Sequence, residues 1–120
     1  MSLLAGKRAL IVEDEGAIAL MLEGMLLDLG CTSVEIAGSL DEGLAAADAD
    51  TVDFALLDVN LAGRESYPIA DRLTERGVPF VFATGYGRRG VATAYQNRGV
   101  LGKPILERDL EAALRSALDR

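Results

Sequence analysis

The sequence predicts an α/β domain built on a parallel sheet with helices on both faces. Three observations predict it. Strand-like and helix-like segments alternate five times, the strand candidates are continuous apolar runs, and polar residues gather where those runs end. Strands buried on both faces read as such runs, and the helices of the crossovers supply the cover.

Ala9-Leu10-Ile11-Val12 is the first strand candidate and stops at three acids, Glu13, Asp14 and Glu15. Ile18, Met21, Leu22, Met25 and Leu29 then fall at helical spacing, and Gly30 closes that helix. Val34-Glu35-Ile36 alternates as a second strand, and Ser39-Leu40-Asp41-Glu42 has capping-box form at the head of a second helix. Val52 to Leu57 forms a third strand that ends at Asp58, and Pro68 suits the first turn of a helix ending near Gly77. Pro79 opens a fourth strand, Phe80-Val81-Phe82-Ala83. After Gly85, Gly87 and Gly90 the pattern predicts a short, weakly apolar helix from Val91 to Asn97, with few apolar anchors between Gly85 and Gly99 and hence local mobility. Val100-Leu101 is a brief fifth strand, and Leu110, Ala113, Leu114, Ala117 and Leu118 mark the last helix.

Composition removes several classes of function. At 120 residues, half of them hydrophobic, residues 1–120 are expected to form a single domain with a real core. The formal charge of −7 repels nucleic-acid phosphates. The single cysteine, Cys31, excludes an internal disulfide and a CxxC pair, and reads as a small apolar filler in a reducing compartment. With no histidine, the chain has no His general base, no His-containing zinc site and no capacity to carry phosphohistidine itself. Neither the N-terminus nor the interrupted apolar stretch from Ala17 to Leu29 has the length of a targeting or membrane segment, so a soluble cytoplasmic protein is expected.

Ligands of such sheets bind at the carboxyl ends of the strands. Residues placed there are Glu13, Asp14 and Glu15, Asp58, Thr84 and Lys103. Crowded carboxylates call for a cation, and a set of hard oxygens suits Mg²⁺, with Glu13, Asp14, Asp58 and the backbone carbonyl of Asn60 as its expected ligands. Asp58 can act as a carboxylate nucleophile toward phosphorus. Lys103 and Mg²⁺ would neutralise phosphoryl oxygens, and the Thr84 hydroxyl would donate to another. Taken singly, each of these residues has an ordinary reading: acids complement a helix N-terminus, Asp sits in turns, Thr favours strands, Lys is solvated. The weight lies in four strand ends that each carry a residue type needed by one reaction.

The chain resembles, over essentially its whole length, the receiver domains of two-component response regulators. Leu10-Ile11-Val12-Glu13-Asp14-Glu15 is similar to their first strand and acidic pair, and Leu56-Leu57-Asp58-Val59-Asn60-Leu61 to their phosphoacceptor strand. Ala83-Thr84-Gly85 is similar to the switch hydroxyl motif and Gly102-Lys103-Pro104 to the Lys-Pro turn; Asp14 and Asp58 stand 44 residues apart, close to the family's interval. The resemblance implies a flavodoxin-like (βα)5 fold with strand order 2-1-3-4-5 and a cis peptide between Lys103 and Pro104. It also implies phosphoryl transfer to Asp58 from a sensor histidine kinase or histidine phosphotransfer protein, and signalling to a downstream target through the face of helix 4, strand 5 and helix 5. No output domain is expected after Arg120. The family's usual aromatic three residues before the lysine is Val100 here. Phe82-Ala83-Thr84-Gly85-Tyr86 resembles instead the FATGUY-type receivers, which implies that Tyr86 takes the aromatic switch role.

Two other families share parts of this pattern. Gly85-Tyr86-Gly87-Arg88-Arg89-Gly90 fits the Gly-x-Gly-x-x-Gly fingerprint, but it follows the fourth strand, whereas a dinucleotide fingerprint belongs to the first strand-helix turn. The other is a small Mg²⁺-dependent phosphohydrolase resembling the haloacid dehalogenase group, which also uses Asp, Thr and Lys. There the second residue after the nucleophile is typically an acid, and here it is Asn60; the nucleophile also lies on the third strand, and no length remains for a substrate cap.

Overall fold

The structure, a computed structural model, describes residues 4–85, 90–95 and 98–119. In chain order the elements are β1 (Arg8–Val12), α1 (Gly16–Asp28), β2 (Ser33–Ala37), α2 (Leu40–Asp48), β3 (Phe54–Asp58), a small hairpin of β4 (Asn60–Leu61) and β5 (Arg64–Glu65), α3 (Tyr67–Glu75), β6 (Phe80–Thr84), a 3₁₀ turn at Thr93–Tyr95, β7 (Gly99–Gly102) and α4 (Glu107–Leu118). The main sheet is parallel throughout, ordered β2-β1-β3-β6-β7. Counting only its five strands, that is 2-1-3-4-5, the doubly wound flavodoxin-like order.

Alternation along each strand divides the core in two. Leu10, Val12, Ala55, Leu57, Phe80 and Phe82 point to the side covered by α2 and α3. Ala9, Ile11, Phe54, Leu56, Val81 and Ala83 point to the side covered by α1 and α4. Both sides are apolar, which is why the inner strands β1, β3 and β6 carry no hydrophobic-polar alternation, whereas the edge strand β2 exposes Ser33 and Glu35. Cys31 packs in the second cluster, and burial pushes its thiol up to about 11, as befits a filler.

Two helices end alike. Gly30 (φ 108°) and Gly77 (φ 72°) take the left-handed conformation just past α1 and α3. Their amides bond to Leu27 and Thr74, and the next amides, of Cys31 and Val78, reach back to Leu26 and Leu73. These are Schellman motifs, and glycine is there because the conformation disfavours a Cβ. At the head of α2, Ser39 Oγ accepts from the Glu42 amide at 3.1 Å, while Glu42 Oε1 accepts from the Gly38 amide at 2.9 Å, one residue earlier than a strict capping box.

Where α2 crosses α3, Gly43 allows close approach. A Cβ there would lie 2.4 Å from Ile69 Cδ1 and 3.3 Å from Val12 Cγ1. Gly43→Ala gains about 1 kcal/mol of helix propensity but forces the fully buried Ile69 to move, at about 1–3 kcal/mol. The expected result in urea titrations is a net loss of about 1 kcal/mol, with Gly43→Ala/Ile69→Val more stable than Gly43→Ala alone; equal stability of the two would show that the contact yields freely.

Departures from the sequence reading fall in α1 and in the segment after Gly90. In α1 the buried residues are Ala19, Leu22 and Leu26, while Leu20, Met21 and Leu27 are exposed, at 63 %, 45 % and 47 %. The helix is apolar nearly all round, so spacing alone does not fix its phase. Between Val91 and Asn97 the described residues form the 3₁₀ turn at Thr93–Tyr95 in place of the expected helix. Val91 and Thr93 are β-branched and Gly90 precedes them, a poor helical start. Anchors are not sparse in the described part of this segment: Val91 is buried, Tyr95 stacks on Tyr67 at 4.4 Å between ring centroids, and the Arg98 guanidinium lies 4.7 Å over the Phe80 ring.

Candidate functional site

The strand register brings the site together. Val12 is level with Leu57, Asp58 with Ala83, and Thr84 with Gly102, so Glu13, Asp58, Thr84 and Lys103 all emerge at the carboxyl edge. The Thr84 carbonyl accepts the Lys103 amide at 3.0 Å, which extends the β6–β7 pairing to the lysine. The peptide between Lys103 and Pro104 is cis.

Lys103 Nζ donates to Glu13 Oε1 at 2.8 Å and to Asp58 Oδ2 at 3.1 Å. These are partly desolvated ion pairs: the side chains of Glu13, Asp58 and Lys103 are 1 %, 12 % and 20 % exposed. Burial opposes the charge on Lys103, but the hydrogen bonds to Glu13 and Asp58 and the charges of both acids together outweigh it and hold the ammonium above its ordinary pKa. The second oxygen of Glu13 accepts the Glu15 amide at 3.2 Å, so this buried carboxylate is engaged on both oxygens. Asp14, by contrast, is exposed. Glu13, Asp14 and Asp58 each present a carboxylate oxygen within 4.8 Å of the others.

An open cleft of about 400 Å³ lies over this edge, lined among others by Asp14, Asp58, Asn60, Glu65, Thr84 and Gly90. One wall is the β4–β5 hairpin, which the sequence reading missed. Its two-residue loop, Ala62 (φ 53°) and Gly63 (φ 91°), has both residues left-handed, as a type I′ turn requires. The side chain of Asn60 closes it by accepting the Gly63 amide at 2.7 Å. The signal available in the sequence was Ala-Gly between short extended segments, weaker than the Asn-Gly that usually marks such turns. The expected switch residue Tyr86, together with Gly87, Arg88 and Arg89 of the glycine-rich hexapeptide, lies outside the described residues.

Comparison with known proteins agrees with this geometry. The family model for the response regulator receiver domain matches residues 9–115, and the chain belongs to that family. Among solved structures, that of SdrG from Sphingomonas melonis Fr1 is 41 % identical, superposes with a TM-score of 0.85, and is matched over 98 % of this chain and 99 % of that one. A CheY-like receiver domain from Methylobacillus flagellatus is 26 % identical, with a TM-score of 0.82 over 94 % of this chain and 99 % of that one. Among curated proteins, the transcriptional regulatory protein PdtaR of Mycobacterium tuberculosis is 28 % identical over 118 residues, 95 % of this chain; the chain spans 58 % of that protein's length. Family membership, with Asn60 where a phosphohydrolase would carry its second acid, replaces the haloacid dehalogenase alternative.

Proposed function

We propose that Asp58 accepts a phosphoryl group from a phosphohistidine on a sensor histidine kinase or histidine phosphotransfer protein, and that the chain signals through contacts that depend on this modification. The observation that carries the reading is the placement of Asp58 at the end of the central strand, bonded to Lys103 and within 4.8 Å of the Asp14 and Glu13 carboxylates. A carboxylate oxygen of Asp58 attacks phosphorus as the bond from phosphorus to the partner's imidazole nitrogen breaks; the imidazole leaves with that electron pair, so no general base is needed from this chain. Lys103 binds a phosphoryl oxygen, and the Thr84 hydroxyl donates to a second.

The carboxylates of Glu13, Asp14 and Asp58 fit a hard divalent cation in donor type and spacing, and the carbonyl of Asn60 would add a further oxygen. Mg²⁺ bound there would neutralise charge on the transferring group. Glu13, engaged by Lys103 and the Glu15 amide, contributes its charge more than an open coordination position. No helix among the described residues is long and apolar enough to cross a membrane, and the charge of −7 disfavours nucleic acid. Both fit a cytoplasmic chain that works on protein partners, as a relay, a phosphoryl sink or an allosteric partner. SdrG, whose beryllofluoride-activated conformation has been solved and is 42 % identical, supports the same chemistry.

The test is intact mass after incubation with Mg²⁺ and a small acyl-phosphate donor. One acid-stable, base-labile phosphoryl group is expected on the wild type and none on Asp58→Asn. Equal modification of both proteins, or of neither even with a panel of histidine kinases, would refute the assignment.

A further inference from the structure

The hydroxyl of Tyr67 accepts the main-chain amide of Ala92 at 2.7 Å. This bond joins two segments just beyond the points where each lines the cleft: Glu65 lines it two residues before Tyr67, and Gly90 two residues before Ala92. The Tyr67 ring is stacked on Tyr95, nearly parallel at 10°, and Tyr95 donates its own hydroxyl to Asp71 at 2.7 Å. Arg98 donates to Thr74 Oγ1 at 3.0 Å. Tyr67, Asp71 and Thr74 are four and then three residues apart, so a single stripe of α3 holds Ala92, Tyr95 and Arg98. Helix α3 in turn is tied to the phosphoacceptor strand, because the Ser66 amide donates to the Val59 carbonyl at 2.8 Å, next to Asp58.

Resting on the phosphoacceptor reading above, we propose that Tyr67 is a positioning residue of this site: by accepting the Ala92 amide, its hydroxyl holds the Gly90 side of the cleft in the arrangement that a phosphoryl group on Asp58 requires. A cleft whose side must be ordered before it can close on a ligand binds with an affinity reduced by the fraction of time it is competent. Loss of one such hydrogen bond lowers that fraction about five-fold. The coupling is reciprocal, so a ligand on Asp58 tightens the Ala92 amide by the same factor.

The experiment uses beryllofluoride with Mg²⁺, a tetrahedral stand-in for an aspartyl phosphate, on the intact chain. Affinity is read from amide chemical shifts, and Ala92 protection from hydrogen exchange. In the wild type the mimic is expected to slow Ala92 exchange about five-fold. In Tyr67→Phe, which keeps the ring and the stack, affinity falls about five-fold and the change at Ala92 disappears. Tyr95→Phe, which loses the bond to Asp71 but leaves the Tyr67 hydroxyl in place, is expected to retain the slowing at Ala92. A lower thermal midpoint of Tyr67→Phe with unchanged mimic affinity would reduce Tyr67 to a structural role and overturn the proposal. A wild type that behaves like Asp58→Asn toward the mimic would instead remove the phosphoacceptor reading, and this inference with it.

Discussion

Lys103→Met is expected to cut the rate of phosphoryl uptake from a small acyl phosphate by about 100-fold or more, because on the proposed phosphoacceptor role of Asp58 it removes a charged donor to the transferring group. It should also destabilise the metal-free protein. The ammonium bridges Glu13 and Asp58, and Glu13 is almost wholly out of water. Stranding a buried carboxylate costs about 3–5 kcal/mol; the partial exposure of Lys103 and Asp58 brings the expected loss to about 2–3 kcal/mol. Mg²⁺ binds only the native arrangement of carboxylates, so millimolar Mg²⁺ should stabilise the variant more than the wild type. The pH dependence has a definite sign. The pKa of Lys103 is raised on folding, so its contribution is fully present below the unfolded value near about 10.4 and is lost as pH rises through the higher folded value. The difference between wild type and variant should therefore stay level from about pH 7 to 9 and shrink only above about pH 10. Urea titrations across that range, with and without Mg²⁺, check it; a difference that vanishes at neutral pH without Mg²⁺ would mean that water replaces the lysine.

The strands and most of the site were legible because they depend on local chemistry. An apolar run that ends at Asp58 reads as a buried strand with a polar tip, and Gly30 and Gly77 read as helix stops because few other residues accept a left-handed backbone. Glu13 and Lys103 could be placed at one edge from topology alone. Their contact could not, since it depends on the registers of β1 with β3 and β6 with β7. The hairpin after Asp58 and the 3₁₀ turn at Thr93–Tyr95 were missed for a related reason. The first is written in two residues, Ala62 and Gly63, without the usual asparagine. The second is held from outside, by Tyr67, Asp71 and Thr74 on α3 and by Phe80 and Phe82 on β6, and a local pattern does not register such anchors.

Phe82→Ala is expected to be the most destabilising single truncation in this aromatic group. The ring is fully buried and lies edge-on to three others: Phe80 at 5.4 Å, Tyr67 at 5.9 Å and Tyr95 at 6.1 Å. Truncating a buried phenylalanine costs about 3–5 kcal/mol, and the lost edge-to-face pairs put this site toward the upper end. Since domains of this size are stable by about 5–15 kcal/mol, Phe82→Ala should unfold at markedly lower denaturant. Phe82→Leu keeps most of the volume and should cost about 1–2 kcal/mol. That milder variant separates two roles of the ring. Phe82 stands two residues before Thr84 and supports both Tyr67 and Tyr95, the two rings that hold the segment behind Gly90. If the cluster anchors that segment, Phe82→Leu will speed hydrogen exchange at Ala92 and Tyr95 more than at Leu10 or Leu56 in the central strands. A uniform increase across all four amides would mean that Phe82 stabilises the domain as a whole. In that case the stripe of α3 would be holding Ala92, Tyr95 and Arg98 without help from beneath.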